Sequence, residues 1–278
     1  MFEKRVRVIV TPKPSEGTIT SRFSSTSRQR VLRQLCVAAY SLGLIACGGG
    51  SSGGSSSLGS GGGVTTTPEM LYVASGTNGQ GEILAYAVDP SSGQLSTPVS
   101  IGAPEFLLEM HVDPSGKFLY ASDFDMGAVR VYSINSATGA LTEASGSPFM
   151  STQTTGNGGP LAASPDGKFL FYSDANGDVA TFTVSSGVLT ATGAVVHVAG
   201  QPSQMVVDPT SKFLYLANHA DYQFSVFMID SNTGALKEIQ GSPFNFQSNS
   251  GPSGIALHPS GKFLYTALSS SAGWTVSR

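Results

Sequence analysis

Cysteine and positive charge are scarce in this chain of 278 residues, and each shortage excludes classes of function. Both cysteines, Cys36 and Cys47, lie near the start, so the rest of the chain has no thiol for a disulfide or a thiolate metal site. Residues 47–278 carry seven Lys and Arg against sixteen Asp and Glu, a formal charge of −9, which predicts no nucleic-acid binding. Four scattered histidines and no cofactor-binding fingerprint predict neither a metal nor a cofactor.

The first 46 residues differ in composition from the rest. They hold eight of the fifteen Lys and Arg but two of the eighteen acids. The last basic residues of this segment precede an apolar run from Leu35 to Ala46. That run is too short to span a bilayer as a helix, but it suits the core of a signal peptide. Residues 1–27 form an N-terminal extension ahead of it.

The apolar run ends at Leu44-Ile45-Ala46-Cys47, which resembles a bacterial lipobox. A Gly/Ser/Thr-rich stretch follows at once, and such a composition cannot bury enough apolar surface to fold. We therefore predict a lipoprotein signal peptide with its extension over residues 1–47, lipidation of Cys47, and a tether over residues 48–67. The product would be exported and held by its lipid in the bacterial cell envelope, at the outer membrane or the cell surface.

One phrase occurs four times between residues 113 and 265. It reads DPSGKFLY from Asp113, SPDGKFLF from Ser164, DPTSKFLY from Asp208 and HPSGKFLY from His258. The prolines of these phrases are 51, 44 and 50 residues apart. Self-similarity at this period is typical of propellers and repeat arrays.

Each repeat has the pattern of strands and turns that is typical of a four-stranded antiparallel sheet. Short runs rich in Val, Ile, Phe and Tyr alternate with turns of Gly, Pro, Asn, Asp and Ser, and no window has a sustained helical period. This predicts an all-β fold, a β-propeller over residues 68–278. Its blades would span about 68–103, 104–150, 151–199, 200–245 and 246–278. The first unit starts on a second strand, so we expect its innermost strand to be missing. The recurring aromatics are predicted to pack between blades: Phe118, Tyr120, Phe169, Phe213, Tyr215, Phe263 and Tyr265.

Longer repeat phrases carry a family resemblance. They are INSATGALTEASGSPF from Ile134, VFMIDSNTGALKEIQGSPF from Val226 and GPSGIALHPSGKFLY from Gly251. Residues 68–278 resemble the seven-bladed β-propeller lactonase family and related repeat proteins of bacterial surfaces. The resemblance implies seven blades, and the chain supplies about four and a half of them. We therefore expect an incomplete propeller and a truncated product. The alternative is self-association, in which two partial rings complete each other through open blade edges.

Three residues are weak candidates for acid–base chemistry. His111 lies on a predicted innermost strand, two residues from Glu109, so the two side chains share one face of the strand. A histidine there could activate water against a lactone carbonyl. The resemblance implies a catalytic histidine a few residues earlier, where this chain has Phe106-Leu107-Leu108, so that role is not transferred. Arg130 is expected on the third strand of the same blade, where it could equally be a surface charge.

Other polar residues have structural interpretations. Asp123, Asp174 and Asn218 each follow a repeat proline by nine residues, which favours a side-chain cap of a turn in every blade. His258 replaces a repeat aspartate and is also predicted to cap a turn. The segment Asp174-Ala175-Asn176-Gly177-Asp178 resembles the start of a calcium loop but lacks its glycine and its closing glutamate, so we predict a type I′ turn at Asn176-Gly177 instead.

Two functions remain from the sequence. The predicted anchor, the tether and the regular repeats favour a surface-anchored module that binds a protein or a carbohydrate, or acts as a scaffold. The alternative is a lactonase for a sugar lactone such as 6-phosphogluconolactone, which rests on the family resemblance. A phosphorylated substrate would favour a basic channel, whereas this chain is acidic.

Overall fold

The computed structural model describes residues 6–10, 69–77, 80–89, 91–151, 157–246, 251–270 and 273–277. Strands and turns make up these residues, and no helix occurs among them. It follows that this part of the chain holds no helix long and apolar enough to cross a membrane. The predicted signal peptide, Cys47 and the tether lie outside the described residues, apart from Val6–Val10.

The described residues form twenty-one strands in five sheets, which follow one another in chain order. The first sheet contains β1 (Val6–Val10), β2 (Glu69–Thr77), β3 (Gln80–Val88) and β4 (Val99–Ala103). The second contains β5 (Leu107–Val112), β6 (Phe118–Asp123), β7 (Ala128–Ile134), β8 (Leu141–Glu143) and β9 (Phe149–Met150). The third contains β10 (Gly158–Ala163), β11 (Phe169–Asp174), β12 (Asp178–Ser185) and β13 (Val188–His197). The fourth contains β14 (Pro202–Val207), β15 (Phe213–Asn218), β16 (Gln223–Ile229), β17 (Leu236–Glu238) and β18 (Phe244–Asn245). The fifth contains β19 (Gly251–Leu257), β20 (Leu264–Ser270) and β21 (Gly273–Ser277).

The second to fifth sheets are antiparallel meanders, and the first strand of each sheet lies beside the first strand of the next. Strand β5 neighbours β10, β10 neighbours β14, and β14 neighbours β19. This radial order of antiparallel sheets is that of propeller blades. The predicted all-β propeller, incomplete with five blades in the described residues, is confirmed.

The inner position of the first blade is occupied, contrary to the expectation that this strand is missing. Strand β1 pairs with β2 from Val6↔Met70 to Val10↔Ala74, and the pairing is parallel. The inner strands of the other four blades pair antiparallel to their neighbours. An unpaired sheet edge accepts a β-prone segment, and VRVIV is rich in β-branched residues. This strand falls within residues 1–47, which the sequence predicts to be a signal peptide with its extension, and for that reason it was not predicted as part of the propeller.

The hydrophobic core lies between the blades. One cluster joins the first and second blades through Tyr72, Leu119 and their neighbours. A second joins the second and third blades around Tyr120 and Tyr172, and a third joins the third and fourth blades around Phe171. The repeat aromatics Tyr120 and Phe169 are buried at these interfaces, as predicted, whereas Phe263 on the fifth blade is exposed.

In the second, third and fourth blades, a glycine in the outer turn lies against the preceding blade. Gly187 of the third blade has the Phe118 ring where a Cβ would be, and Gly234 of the fourth blade has the Phe169 ring there, 2.6 Å away. Both glycines have a left-handed φ, +81° and +71°, which disfavours any other residue. Gly139 has the same relation to Met70. At these three joints between neighbouring blades, an outer-turn glycine of one blade therefore packs against a side chain from the second strand of the blade before it.

The outer strand of the second and fourth blades is split in two by the Gly-Ser-Pro-Phe phrase. Both Ser-Pro bonds, Ser147-Pro148 and Ser242-Pro243, are cis. The Ser147 hydroxyl accepts the N–H of Val131 at 3.1 Å, and the Ser242 hydroxyl accepts that of Val226 at 3.0 Å. In each blade the serine thus accepts a backbone N–H of the third strand, which the carbonyl groups of a continuous outer strand would otherwise accept.

Candidate functional site

The inner strand of the second blade brings Glu109 and His111 into contact. Nε2 of His111 lies 3.3 Å from Oε1 of Glu109. The side chains keep 29% and 19% of their surface exposed, for His111 and Glu109 respectively. A carboxylate therefore orients an imidazole that solvent reaches, which is the arrangement a general base requires.

The second oxygen of Glu109 joins two blades. Oε2 accepts the backbone N–H of Leu161 on β10 at 3.0 Å. Gln204 occupies the same repeat position, five residues before the repeat proline, and its Oε1 accepts the N–H of Ile255 on β19 at 2.6 Å. An amide and a carboxylate thus form the same inter-blade bond. The negative charge of Glu109 is therefore not needed for the inter-blade bond, and its Oε1 faces His111.

His111 breaks the repeat at its position. The corresponding residues, three before each repeat proline, are Ala162, Val206 and Ala256. Turn caps recur in several blades because every blade needs them, whereas a reacting group is needed once. The Glu109–His111 pair occurs in one blade only, so a structural need shared by all blades does not account for it.

Arg130 lies in a different group of residues. Its Nε donates to Oδ2 of Asp123 and its Nη1 to Oε1 of Glu143, both at 2.8 Å. Burial alone would lower the pKa of Arg130, but the hydrogen bonds to Asp123 and Glu143 raise it. With 17% of its side chain exposed, Arg130 is not the loose surface charge that the sequence allowed. It contacts neither Glu109 nor His111 among its hydrogen-bond partners, so the three candidates do not form one site.

A cavity of about 1090 Å³ lies between the first and second blades, and Arg130 is on its wall. Five carboxylate side chains line it together with this single guanidinium: Glu82, Glu105, Asp123, Asp125 and Glu143. Two glycines at the turn between β2 and β3, Gly76 and Gly81, pack directly against the backbone of Pro104 and Glu105. This close approach brings the end of the first blade up to the connection into the second.

Tyr132 lies at the charged wall of the same cavity. The side chain is 1% exposed, and its hydroxyl has no hydrogen-bond partner within the described part of the chain. Burial, with a smaller contribution from the nearby Glu143 carboxylate, raises the pKa of Tyr132 to about 12. The phenol is therefore neutral at physiological pH. Within the described residues, the buried hydroxyls of Tyr120 and Tyr172 likewise have no hydrogen-bond partner.

The remaining polar candidates have structural roles. Oδ1 of Asp123 accepts the N–H of Met126 at 3.1 Å, Oδ1 of Asp174 accepts that of Asn176 at 2.9 Å, and Oδ1 of Asn218 accepts that of Asp221 at 3.4 Å. The predicted caps of these turns are confirmed. So is that of His258, whose Nδ1 accepts the N–H of Ser260 at 3.1 Å.

The turn after Asp174 and the partner of His197 differ from what the sequence predicted. The turn after Asp174 is not type I′: Gly177 has φ +94°, but Asn176 does not have the left-handed φ that this turn requires. His197, which has no partner spacing in the sequence, lies 2.8 Å from Asp178 because the strands β12 and β13 pair them directly. No group of three or more His, Cys, Asp or Glu residues suited to a metal ion occurs within the described ranges.

Radially arranged four-stranded blades with an inter-blade core define this chain as a β-propeller. A sequence model of the family described as "Lactonase, 7-bladed beta-propeller" matches residues 63–270. The chain belongs to this family of seven-bladed β-propeller lactonases.

Relatives of known name agree with the family assignment. The chain is 25% identical over 215 residues to a 6-phosphogluconolactonase of Bacillus subtilis, covering 71% of this chain and 60% of the relative. It is 24% identical over 222 residues to a 6-phosphogluconolactonase of an Enterobacter species, covering 76% of this chain and 64% of the relative. The chain thus spans less than two thirds of the length of these relatives.

Solved structures show the same fold at lower identity. A periplasmic gluconolactonase of Pseudomonas aeruginosa, PpgL, superposes with a TM-score of 0.58 at 20% identity, covering 75% of this chain and 65% of that one. A candidate 6-phosphogluconolactonase from Bacteroides uniformis superposes with a TM-score of 0.62 at 19% identity, covering 74% and 63%. These similarities establish the fold.

Proposed function

We propose that this chain takes part in the hydrolysis of an uncharged sugar lactone outside the cytoplasm. The proposal rests on the family match, because the relatives carry the names of enzymes that act on a sugar lactone. The relatives favour this function over the binding or scaffold module that the sequence favoured. A relative of similar fold is named a periplasmic gluconolactonase, which supports an exported enzyme with an unphosphorylated substrate.

The Glu109–His111 pair supplies the chemistry for such a reaction. Neutral His111 would take a proton from water as the water oxygen attacks the lactone carbonyl carbon. The tetrahedral oxyanion then collapses, the ring C–O bond breaks, and the ring oxygen receives a proton from the imidazolium. The Glu109 carboxylate holds the ring through the 3.3 Å contact and stabilises the positive charge that His111 gains.

Charge favours an uncharged lactone over its 6-phosphate. Residues 47–278 have sixteen acidic side chains against seven basic ones. Arg130 is already paired with two carboxylates, so its positive charge would attract a phosphate group only weakly. Like charges brought together oppose binding, so we expect kcat/KM for glucono-1,5-lactone to exceed that for its 6-phosphate by about tenfold or more.

A pH-stat assay that corrects for spontaneous ring opening measures this preference directly. The full chain is compared with a His111→Gln variant, so that buffer catalysis and contaminating lactonases are identified. Preference for the phosphorylated lactone would overturn the choice of substrate. Hydrolysis no faster than the spontaneous reaction would overturn lactone hydrolysis itself.

We also propose that Cys47 carries the membrane anchor. Its support is the apolar run that ends at Ala46 and the Gly- and Ser-rich stretch after Cys47. In cells fed a radiolabelled or clickable palmitate, the wild-type chain should incorporate label and sediment with membranes. Cys47→Ala should lose the label and move to the soluble fraction, whereas Cys36→Ala, in the segment predicted to be removed, should keep the label and the membrane location of the wild-type chain. Equal labelling of the wild-type chain and the Cys47→Ala variant would contradict the anchor.

A further inference from the structure

We propose that the turn between β19 and β20 is an acid-sensitive switch, which holds the fifth blade in place while His258 is neutral and loosens that blade when His258 is protonated. The turn contains neither Glu109 nor His111, so the switch would operate whether or not the chain hydrolyses a lactone. Its parts are the atom of His258 that caps the turn, the carboxylates that replace this histidine in other blades, and the packing of the fifth blade.

His258 caps its turn through a nitrogen that must carry no proton. Nδ1 accepts the backbone N–H of Ser260 at 3.1 Å and lies 2.8 Å from the Ser260 hydroxyl. One nitrogen of a neutral imidazole accepts a hydrogen bond, whereas both nitrogens of the imidazolium are donors. The hydroxyl can accept a bond from the imidazolium, but the Ser260 N–H then has no acceptor on His258. Histidine is the side chain that changes its charge between pH 5 and 8, so this cap depends on pH in that range.

The second and fourth blades have an aspartate at the position of His258. Oδ1 and Oδ2 of Asp113 accept the N–H groups of residues 115, 117 and 118. Asp208 accepts the N–H groups of residues 210, 212 and 213 in the same way. A carboxylate keeps its charge and its acceptors well below the pH at which a histidine becomes charged. The fifth blade therefore has a weaker cap than these two blades, and its cap is the one that acid removes.

The fifth blade has little further packing that could offset the loss of its cap. In the described part of the chain, the three buried clusters consist of residues from the first four blades, and none includes a residue of β19 or β20. Phe263, just before β20, is 42% exposed, whereas Phe169 at the same position of the third blade is 4% exposed. Regions with few buried contacts open locally at a low cost in free energy. We therefore expect this turn and β20 to open at a pH at which the other blades stay closed.

Few other charged groups lie beside this turn. Strands β19 and β20 contain no acidic or basic residue, and their one titratable side chain is that of Tyr265, a phenol that is neutral in this pH range. Lys262 lies in the turn itself and is exposed. The adjacent turn of the fourth blade carries Asp208, which is bound within its own turn, and Lys212, which is exposed. Titration of His258 is therefore the change of charge expected at this turn between pH 7.5 and 5.

Hydrogen exchange of the full chain, followed by mass spectrometry at pH 7.5 and pH 5.0, tests the switch. Residues 255–265 contain the turn of His258, and residues 110–120 and 205–215 contain the matching turns of the second and fourth blades. After correction for intrinsic exchange rates, protection of residues 255–265 should fall by about three- to tenfold more than that of the other two segments, which corresponds to the loss of one hydrogen bond. Equal responses of all three segments would overturn the proposal.

Two variants replace His258 by a residue that still caps the turn at pH 5.0. His258→Asp introduces the carboxylate of the second and fourth blades, and His258→Asn introduces an amide oxygen that accepts the N–H at either pH. Both should give residues 255–265 the same response to acid as the other two segments. The matched control is His197→Gln, which removes an exposed histidine that contacts Asp178 in the third blade and should keep the acid response. An acid response that persists in both His258 variants, or that disappears in His197→Gln, would overturn the role of His258.

Discussion

Replacing His111 by glutamine is expected to lower kcat for lactone hydrolysis at least a hundredfold while leaving the fold intact. General base catalysis contributes about 10²–10⁴-fold, and glutamine cannot take a proton from water. The side chain is partly exposed and belongs to no buried cluster, so the variant should keep the far-UV circular dichroism and the melting temperature of the wild-type chain. Steady-state kinetics after subtraction of spontaneous hydrolysis measure the loss.

Two further variants separate catalysis from structure. Glu109→Gln should keep the bond to the Leu161 N–H, since Gln204 makes the same bond with an amide. It removes the charge that faces His111, so kcat should fall about tenfold with KM nearly unchanged. His197→Gln alters another histidine–carboxylate contact, with Asp178, in the third blade and should retain full activity. Wild-type kcat in His111→Gln would exclude His111 as the base.

Replacing Phe169 by alanine is expected to destabilise the chain by about 3–5 kcal/mol, as for other buried phenylalanines. Phe169 is 4% exposed and fills the joint between the third and fourth blades, where Gly234 lies on its ring. Alanine would leave a cavity that the rigid turn of Gly234 cannot close. For a domain of this size the melting temperature should fall by about 6–20 °C.

The control for Phe169 is the same position of another repeat. Phe263 also lies four residues after a repeat proline, but it is 42% exposed. Since Phe263 buries a smaller part of its side chain than Phe169 does, Phe263→Ala should cost about 1–2 kcal/mol, less than Phe169→Ala. Thermal unfolding followed by circular dichroism compares the two variants with the wild-type chain. Equal shifts for both variants would show that the interface with the next blade does not determine the contribution of this aromatic.

The repeat phrase predicts most of the blade architecture because it encodes local structure. Proline, glycine and the capping aspartates determine where strands turn, and the alternating apolar residues determine which faces pack. The caps by Asp123, Asp174 and Asn218 were predictable for this reason, since donor and acceptor lie within four residues of each other. The placement of Glu109 and His111 on one face likewise follows from the two-residue period of a strand.

Contacts that depend on register or on two blades could not be predicted in this way. His197 faces Asp178 because β12 and β13 pair with a shift between Ala180 and Phe182, and the sequence has no visible signal for that shift. Arg130 meets Glu143 through the pairing of β7 with β8. The cavity beside Arg130 depends on how closely two sheets approach, and the only sequence signal for it is the pair Gly76 and Gly81.

The joint between outer-turn glycine and second-strand side chain has a consequence for how such proteins change over generations. The second and third repeats each encode both halves of the joint: an aromatic that receives the next turn and a glycine that fits the side chain before it, as Phe169 and Gly187 do in the third blade. A tandem duplication or an in-frame loss of one repeat therefore joins two surfaces that already fit. Blade number is then set by gene copy number and by ring closure, and recombination between repeats can alter it without a new interface having to evolve.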